Sequence, residues 1–213
     1  MRRLIDGLPP ERAAQAFLHP SSAETRNASY ERLEFLGDSV LGFAVVSHLY
    51  EQYPDLDEGL LSRVRADVVS RQRCAAVARE LDLGARLVSD QSAGEELRES
   101  TKVLAATLEA VFGALYLEYG IDEVRRPIAD AFRDAIEHSL EVGPDPKTRL
   151  QELAARHGKV PSYTTLGTEG PPHDRTFTAA AIIDAEVVGT GIGRSKKEAE
   201  QAAAQQALDA GAF

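Results

Sequence analysis

Residues 30–46 read YERLEFLGDSVLGFAVV, an apolar run that carries Glu31, Glu34 and Asp38. No other stretch constrains the fold as strongly. Leu33, Phe35, Leu36, Val40, Leu41, Phe43, Val45 and Val46 set apolar groups on nearly every side of a helix. A helix that is apolar all round belongs inside a protein. Its acids are then costly unless they are paired, hydrogen-bonded or bound to a cation, and Arg32 is the only basic residue within the run. Glu31, Glu34 and Asp38 stand at i, i+3 and i+7, which is one stripe of a helix.

A second run repeats the pattern. In KVLAATLEAVFGALYLE, residues 102–118, Glu109 is the only charged residue between Lys102 and Glu118. Two such helices packed together would gather carboxylates into an oxygen-only cluster, which suits Mg2+ or Mn2+ rather than zinc. Such an ion can activate a water and stabilise charge on a phosphate during phosphodiester hydrolysis. A solvated acidic face is the plainer alternative for the first three acids. The apolar surroundings and the lone Glu109 weigh against it.

The 213-residue chain is 43% hydrophobic and 27% charged, a folded rather than disordered composition with room for one or two domains. Its net charge of −10, taken over the whole chain, argues against a nucleic-acid partner. The acidity is uneven, however. Residues 1–144 hold 16 basic and 25 acidic side chains, whereas residues 145–213 hold 8 and 9, close to balance. Cys74 is the single cysteine, so no disulfide framework or zinc spacing exists. The opening MRRLIDGLPPERAAQAFLHP has no apolar run of signal-peptide or membrane-span length. A reducing, cytoplasmic setting without a membrane partner is the expectation.

At EVGPDPK, 141–147, glycine and two prolines interrupt two different periodicities. Before the break the pattern predicts helices over 30–51, 57–84, 95–120 and 122–140. After it, Asp145 is a helix cap with Pro146 at the first position and Gly158 as the stop. SYTTLG, RTFTAAAIID and AEVVGTGI then read as three short strands. RSKKEAEQAAAQQALDAG closes as a helix, with Ser195 and Glu198 in capping-box spacing. The order α-β-β-β-α makes a compact two-layer domain. Lys196 and Lys197 fall beside the free N–H groups of that last helix, which suits a phosphate site, with an ordinary capped surface helix as the equally weighted alternative for this segment read by itself. His19, His48, His138 and His157 show no ligand spacing.

ERLEFLGDSVL at 31–41 resembles the signature of the ribonuclease III family, and the resemblance continues through DEGLLSRVRADVVS and LRESTKVLAATLEAVFGALYLEYG. The tail from Asp145 is similar to a double-stranded-RNA-binding domain. The resemblance implies an α+β multidomain chain: an all-α endonuclease domain over 1–142, a linker at 143–146, and an α-β-β-β-α RNA-binding domain over 147–213. It implies Mg2+-dependent cleavage of double-stranded RNA by a homodimer that processes ribosomal and other precursor transcripts. Mn2+ is a possible substitute, and no small-molecule cofactor is implied. Asp38 and Glu109 match the catalytic pair, and Glu34, Asp38 and Glu109 match metal ligands. Glu31 and Glu58 match supporting acids, and Phe35 matches the subunit interface. Thr148, Gln151 and Glu152 match one minor-groove contact, His173 another, and Ser195, Lys196 and Lys197 the phosphate contact.

One position departs from the family pattern. Where the family has an aspartate three residues before the glutamate, this chain reads LAATLEA, with Ala106 in that place. Ala106 and Glu109 lie one helical turn apart, so the missing carboxylate would face the same ion. A protein that holds double-stranded RNA without cutting it is therefore the nearer rival reading. A helical metal hydrolase acting on small phosphorylated molecules is the more distant one, since the tail would then have no use.

Overall fold

The computed structural model describes the chain apart from residues 91–93, 144, 172–173 and 212–213. It divides into two compact units, Met1–Glu141 and Val142–Phe213.

The first unit is helical. Helices α1 (Arg2–Asp6) and α2 (Pro10–Ala16) lead through two short 3-10 turns into α3 (Glu31–Gln52). There follow α4 (Glu58–Val68), α5 (Arg71–Glu80), α6 (Leu83–Arg86), α7 (Gly94–Glu99), α8 (Thr101–Ala131) and α9 (Arg133–Val142). The core is built on α3 against α8, with α5 on a further side of α8. Leu33, Val40, Leu41, Ala44, Val45 and Leu49 are the buried apolar side chains of α3. On α8 every residue from Val103 to Leu115 is buried except Glu109. By length and composition α8 is apolar enough to cross a membrane, but its apolar side chains are mostly spent in this core.

The helical reading of 30–51 matches α3 closely, whereas the three later segments are divided, 122–140 at Phe132, where α8 ends before α9 begins. The stretch 57–84 breaks after Val68, because the Ser70 side chain accepts from Arg73 N and opens α5 as a new helix. A serine hydroxyl offers the backbone an alternative to the helical ladder at that point. The stretch 95–120 is likewise divided, with Ser100 as the N-cap of α8. Gly120, at φ 77°, interrupts α8 where the sequence pattern stops.

The second unit is α10 (Pro146–Arg156), β1 (Ser162–Glu169), β2 (Thr176–Ile183), β3 (Glu186–Gly193) and α11 (Lys196–Asp209). The strands form one antiparallel sheet in the order β1-β2-β3. Thr164 pairs with Ala180, and Ala180 with Thr190. Leu150 and Ala154 of α10, Ala181 and Ile183 of β2, and Ala203, Ala204 and Ala207 of α11 make its core. Small residues set the spacing: a Cβ on Gly191 would stand 2.2 Å from Ala203 N, so α11 rests directly on β3. Asp145 caps α10 by accepting from Lys147 N and Thr148 N, and Gly158, at φ 70°, follows its end. Asp145 and Pro146 thus open this helix rather than lying in a linker; Pro144 of the expected linker lies outside the described residues. An all-α domain followed by an α-β-β-β-α domain is the architecture the sequence pattern predicts.

Candidate active site and RNA-binding face

Two glycines bring the acidic stretches together. A Cβ on Gly37 of α3 would lie 1.7 Å from the Glu109 carbonyl oxygen and 2.8 Å from Gly113 N. A Cβ on Gly113 of α8 would lie 2.3 Å from the Leu33 carbonyl oxygen. Backbone therefore meets backbone at this crossing, with no side chain between. Glu34 and Asp38 flank Gly37 in the chain, and Glu109 supplies the backbone that Gly37 touches. The closest approach of the two core helices is thus also the place where their acids face one another.

The electrostatics follow from that geometry. Glu109 is half-buried, and its carboxyl is pushed up from 4.5 to about 7, first by burial, then by the charges of Asp38 and Glu34, with Arg71 pulling the other way. Glu34 is raised by burial, then by Glu31, and Lys102 opposes the shift before Asp38 adds to it. The N-terminus of α3 favours a carboxylate at Glu34 by only about 1 kcal/mol or less, and burial outweighs it. Beneath the cluster Cys74 is buried, and burial together with Glu109 and Asp38 pushes its thiol up to about 12. That thiol is an inert core group that donates to the Val69 carbonyl.

Glu34, Asp38 and Glu109 interact through charge without closing on a common point. Among the described residues, no three His, Cys, Asp or Glu side chains form a set that could hold a metal ion as they stand. The donor chemistry nonetheless fits a hard divalent cation: these are oxygen ligands only, and their mutual repulsion is what such a cation would relieve. Ala106 is 7% exposed, one turn before Glu109, and adds no oxygen.

The remaining acids lie further out. Glu31 pairs loosely with Arg26 at 3.8 Å, and its charge raises Glu34. Glu58 starts α4 and accepts from Ser62 Oγ at 2.7 Å. In the second unit Gln151 and Glu152 are exposed on α10, and Thr148 donates to Asp145 Oδ2 at 3.0 Å. Ser195 caps α11 by accepting from Glu198 N, while Glu198 Oε2 accepts from Arg194 N. The reciprocal arm of the capping box therefore reaches one residue further back than its usual form. Lys196 and Lys197 are exposed at the first turn of α11 and make no ion pair among the described residues, whereas Lys147 is held by Glu200 at 2.6 Å. His173 lies outside the described residues.

Residues 10–135 match the family described as Ribonuclease-III-like, and residues 146–210 match the Double-stranded RNA binding motif. The chain belongs to the ribonuclease III family. It is 49% identical over 181 residues to Ribonuclease 3 of Streptomyces coelicolor, covering 83% of this chain and 65% of that one. It is 47% identical to Ribonuclease 3 of Nocardia farcinica, covering 84% and 78%, and 42% identical to that of Corynebacterium diphtheriae, covering 96% and 86%. The crystal structure of the nuclease domain of ribonuclease III from Campylobacter jejuni is similar, with a TM-score of 0.54 at 30% identity, covering 65% of this chain and 92% of that one. A nuclease domain joined to a double-stranded-RNA-binding domain makes the chain a ribonuclease III-type endoribonuclease, of a family whose members are generally metal-dependent.

Three features of this candidate site escape a reading of the sequence: the Gly37–Gly113 contact and the two cations, Arg71 and Lys102, whose charges act on Glu109 and Glu34. Glycines inside strongly helical runs were the available signal for the first. The shifted Glu109 gives a pH signature. Its value in the fold lies above the usual 4.5, so its contribution to stability is full below about pH 4.5 and is lost as pH rises through about 7. After allowance for solvent screening of a half-exposed group, the change amounts to about 1–2 kcal/mol. In metal-free buffer Glu109→Gln is thus expected to be the more stable protein at pH 8, with the difference shrinking toward pH 4.5. Thermal melts of both proteins across that range check this; a pH-independent difference would contradict it.

Proposed function

We propose that the chain cleaves double-stranded RNA by Mg2+-dependent phosphodiester hydrolysis, with Asp38 and Glu109 as the catalytic pair and Glu34 as co-ligand. The observation that carries this reading is Glu109, the one interruption in the buried run of α8, facing Glu34 and Asp38 across the glycine contact. Mg2+ held by these carboxylates would supply an activated water and charge stabilisation at the phosphate; Mn2+ offers the same chemistry. Glu109 tends to hold a proton near neutral pH, and that proton must leave before its oxygen can serve as a ligand. Asp38 is exposed and so open to an arriving substrate. Glu31 and Glu58 act as supporting acids that enlarge the negative field.

The second domain delivers the substrate. Lys196 and Lys197 meet phosphates at the start of α11, and Ser195 holds that helix start in shape. Thr148, Gln151 and Glu152 on α10, with His173, read 2′-hydroxyls in the minor groove, which distinguishes RNA from DNA. A homodimer completes the enzyme. Phe35 is 81% exposed, and Phe43, Val46 and Tyr50 continue an exposed apolar stripe along α3 that a second copy would cover. The neighbour from Campylobacter jejuni has a region involved in dimer formation of its nuclease domain, which supports this reading. Ribosomal and other precursor transcripts in the cytoplasm are the proposed substrates, and the lone buried Cys74 agrees with a reducing compartment.

The rival reading rests on Ala106: with one carboxylate fewer, the chain binds duplex RNA and leaves it uncut. Incubating the protein with end-labelled RNA duplex or matched DNA duplex, with Mg2+ or with chelator, separates the readings. Shortened RNA bearing 5′-phosphates, only with RNA and Mg2+, is the expected outcome; bound but intact RNA favours the rival. The delivery step has its own check. Replacing both Lys196 and Lys197 by alanine should weaken duplex binding by about tenfold at physiological salt and lower the salt slope by about 2. An unchanged slope would remove these lysines from the interface.

A further inference from the structure

The two oxygens of Asp145 have separate tasks. Oδ1 accepts from Lys147 N at 3.1 Å, from Thr148 N at 3.2 Å and from Gln201 Nε2 of α11 at 2.7 Å, which closes the start of α10. Oδ2 accepts the Thr148 hydroxyl at 3.0 Å. Partial burial acts to raise this carboxyl, but the hydrogen bonds from Gln201, Thr148 and Lys147 outweigh it and hold it below the usual range. An ionised carboxylate only accepts, so Thr148 must donate, and its oxygen is left with lone pairs alone for anything that arrives. The same turn has no N–H group to offer a phosphate. Pro146 has none, Lys147 N and Thr148 N are held by Asp145 Oδ1, and Arg149 N donates to the Asp145 carbonyl. Lys147 Nζ is engaged within the domain, on Glu200 at 2.6 Å and over the Tyr163 ring at 4.3 Å.

We propose, resting on the reading of Thr148 as a minor-groove contact, that Asp145 is a positioning residue for RNA. By accepting the Thr148 hydroxyl it presents Thr148 Oγ1 as a fixed acceptor for a 2′-hydroxyl. A free threonine hydroxyl turns to suit either a donor or an acceptor. One whose hydrogen is already committed meets only a donor. A 2′-hydroxyl carries such a hydrogen, whereas a 2′-deoxy or 2′-fluoro position does not. The charge of Asp145 works the other way: its removal favours every phosphate-bearing duplex alike. A loss of preference for RNA therefore reports the hydrogen bond and not the charge.

The test uses the full chain with Asp145→Asn, Thr148→Val and the two combined. Each protein is titrated with an RNA duplex and with its 2′-fluoro counterpart, in chelator so that neither is cut. Asparagine keeps an oxygen for the Oδ1 contacts and remains a good helix cap. It sets an amide N–H where Oδ2 stood, so the bond to Thr148 reverses and the acceptor is filled. Asp145→Asn is expected to lower the preference for RNA over the 2′-fluoro duplex by about three- to tenfold, the worth of one hydrogen bond. Thr148→Val should lower it by a similar factor, and the combination should lose no more than either alone. A merely structural Asp145 would weaken both duplexes equally and leave the preference where it was. An unchanged or larger preference in Asp145→Asn, or losses that multiply in the double variant, overturns the proposal while leaving Thr148 in the groove. An unchanged preference in Thr148→Val removes Thr148 from the groove, and the proposal falls with the reading beneath it.

Discussion

Gly37→Ala is expected to destabilise the nuclease domain by about 3 kcal/mol or more, at the upper end of what overpacking a core costs. The added methyl would stand 1.7 Å from the Glu109 carbonyl oxygen, and that neighbour is helix backbone, not the movable end of a side chain. Relief requires α3 and α8 to separate along a core that contains Leu33, Val40, Leu41, Leu108, Val111 and Phe112. For a unit of this size the melting temperature should fall by on the order of 10 °C. Gly42→Ala, on the same helix, meets only Arg65 at 3.7 Å and is the matched control with little expected loss. Equal melting temperatures for the two variants would mean that the helices do not touch at Gly37. The packing and the chemistry share this residue, so a Gly37→Ala protein that survives should also bind divalent cations less well.

Much of this was legible from the chain. The change of period at residues 141–147, Asp145 before Pro146, and Ser195 before Glu198 gave the second domain its order of elements. The caps act locally and can be read locally. Glu109 was legible because a lone charge in a buried run is visible without knowing what it faces. Ser70 and Ser100 do not stand out in the sequence as boundaries, because serine is tolerated on a helix face and only its hydrogen bond or its backbone turns it into one. The contact of Gly37 with Gly113, and the reach of Lys102 and Arg71 to acids on other helices, join residues far apart in sequence. A one-dimensional pattern shows each of these residues but not its partner. The resemblance to ribonuclease III also made Ala106 visible as a departure, and the structure shows an almost fully buried methyl there.

Glu109→Ala should have the largest effect on activity. It removes the acid at the centre of the charge cluster, and a loss on the order of 10³-fold in cleavage corresponds to about 4 kcal/mol of transition-state stabilisation. Ala106→Asp should act in the other direction, restoring a carboxylate one turn away on the same stripe, tightening divalent-cation binding and raising the rate. Folding is not at issue for Glu109→Ala if its melting temperature in metal-free buffer at pH 8 is no lower than that of the unaltered chain. Burial makes the ionised glutamate a cost to the fold there.

Glu34, Asp38 and Glu109 are proposed to suffice as a metal site for cutting duplex RNA. Single-turnover cleavage of a perfect RNA duplex with saturating Mg2+, by the unaltered chain, Ala106→Asp and Glu109→Ala side by side, tests it most directly. Cleavage by the unaltered chain, faster cleavage by Ala106→Asp and none detectable by Glu109→Ala is the expected result. Cleavage by Ala106→Asp alone would contradict it, leaving a duplex-RNA-binding protein whose three carboxylates are too few. Cleavage by Glu109→Ala at the unaltered rate would contradict it more deeply, because the reacting site would then lie elsewhere.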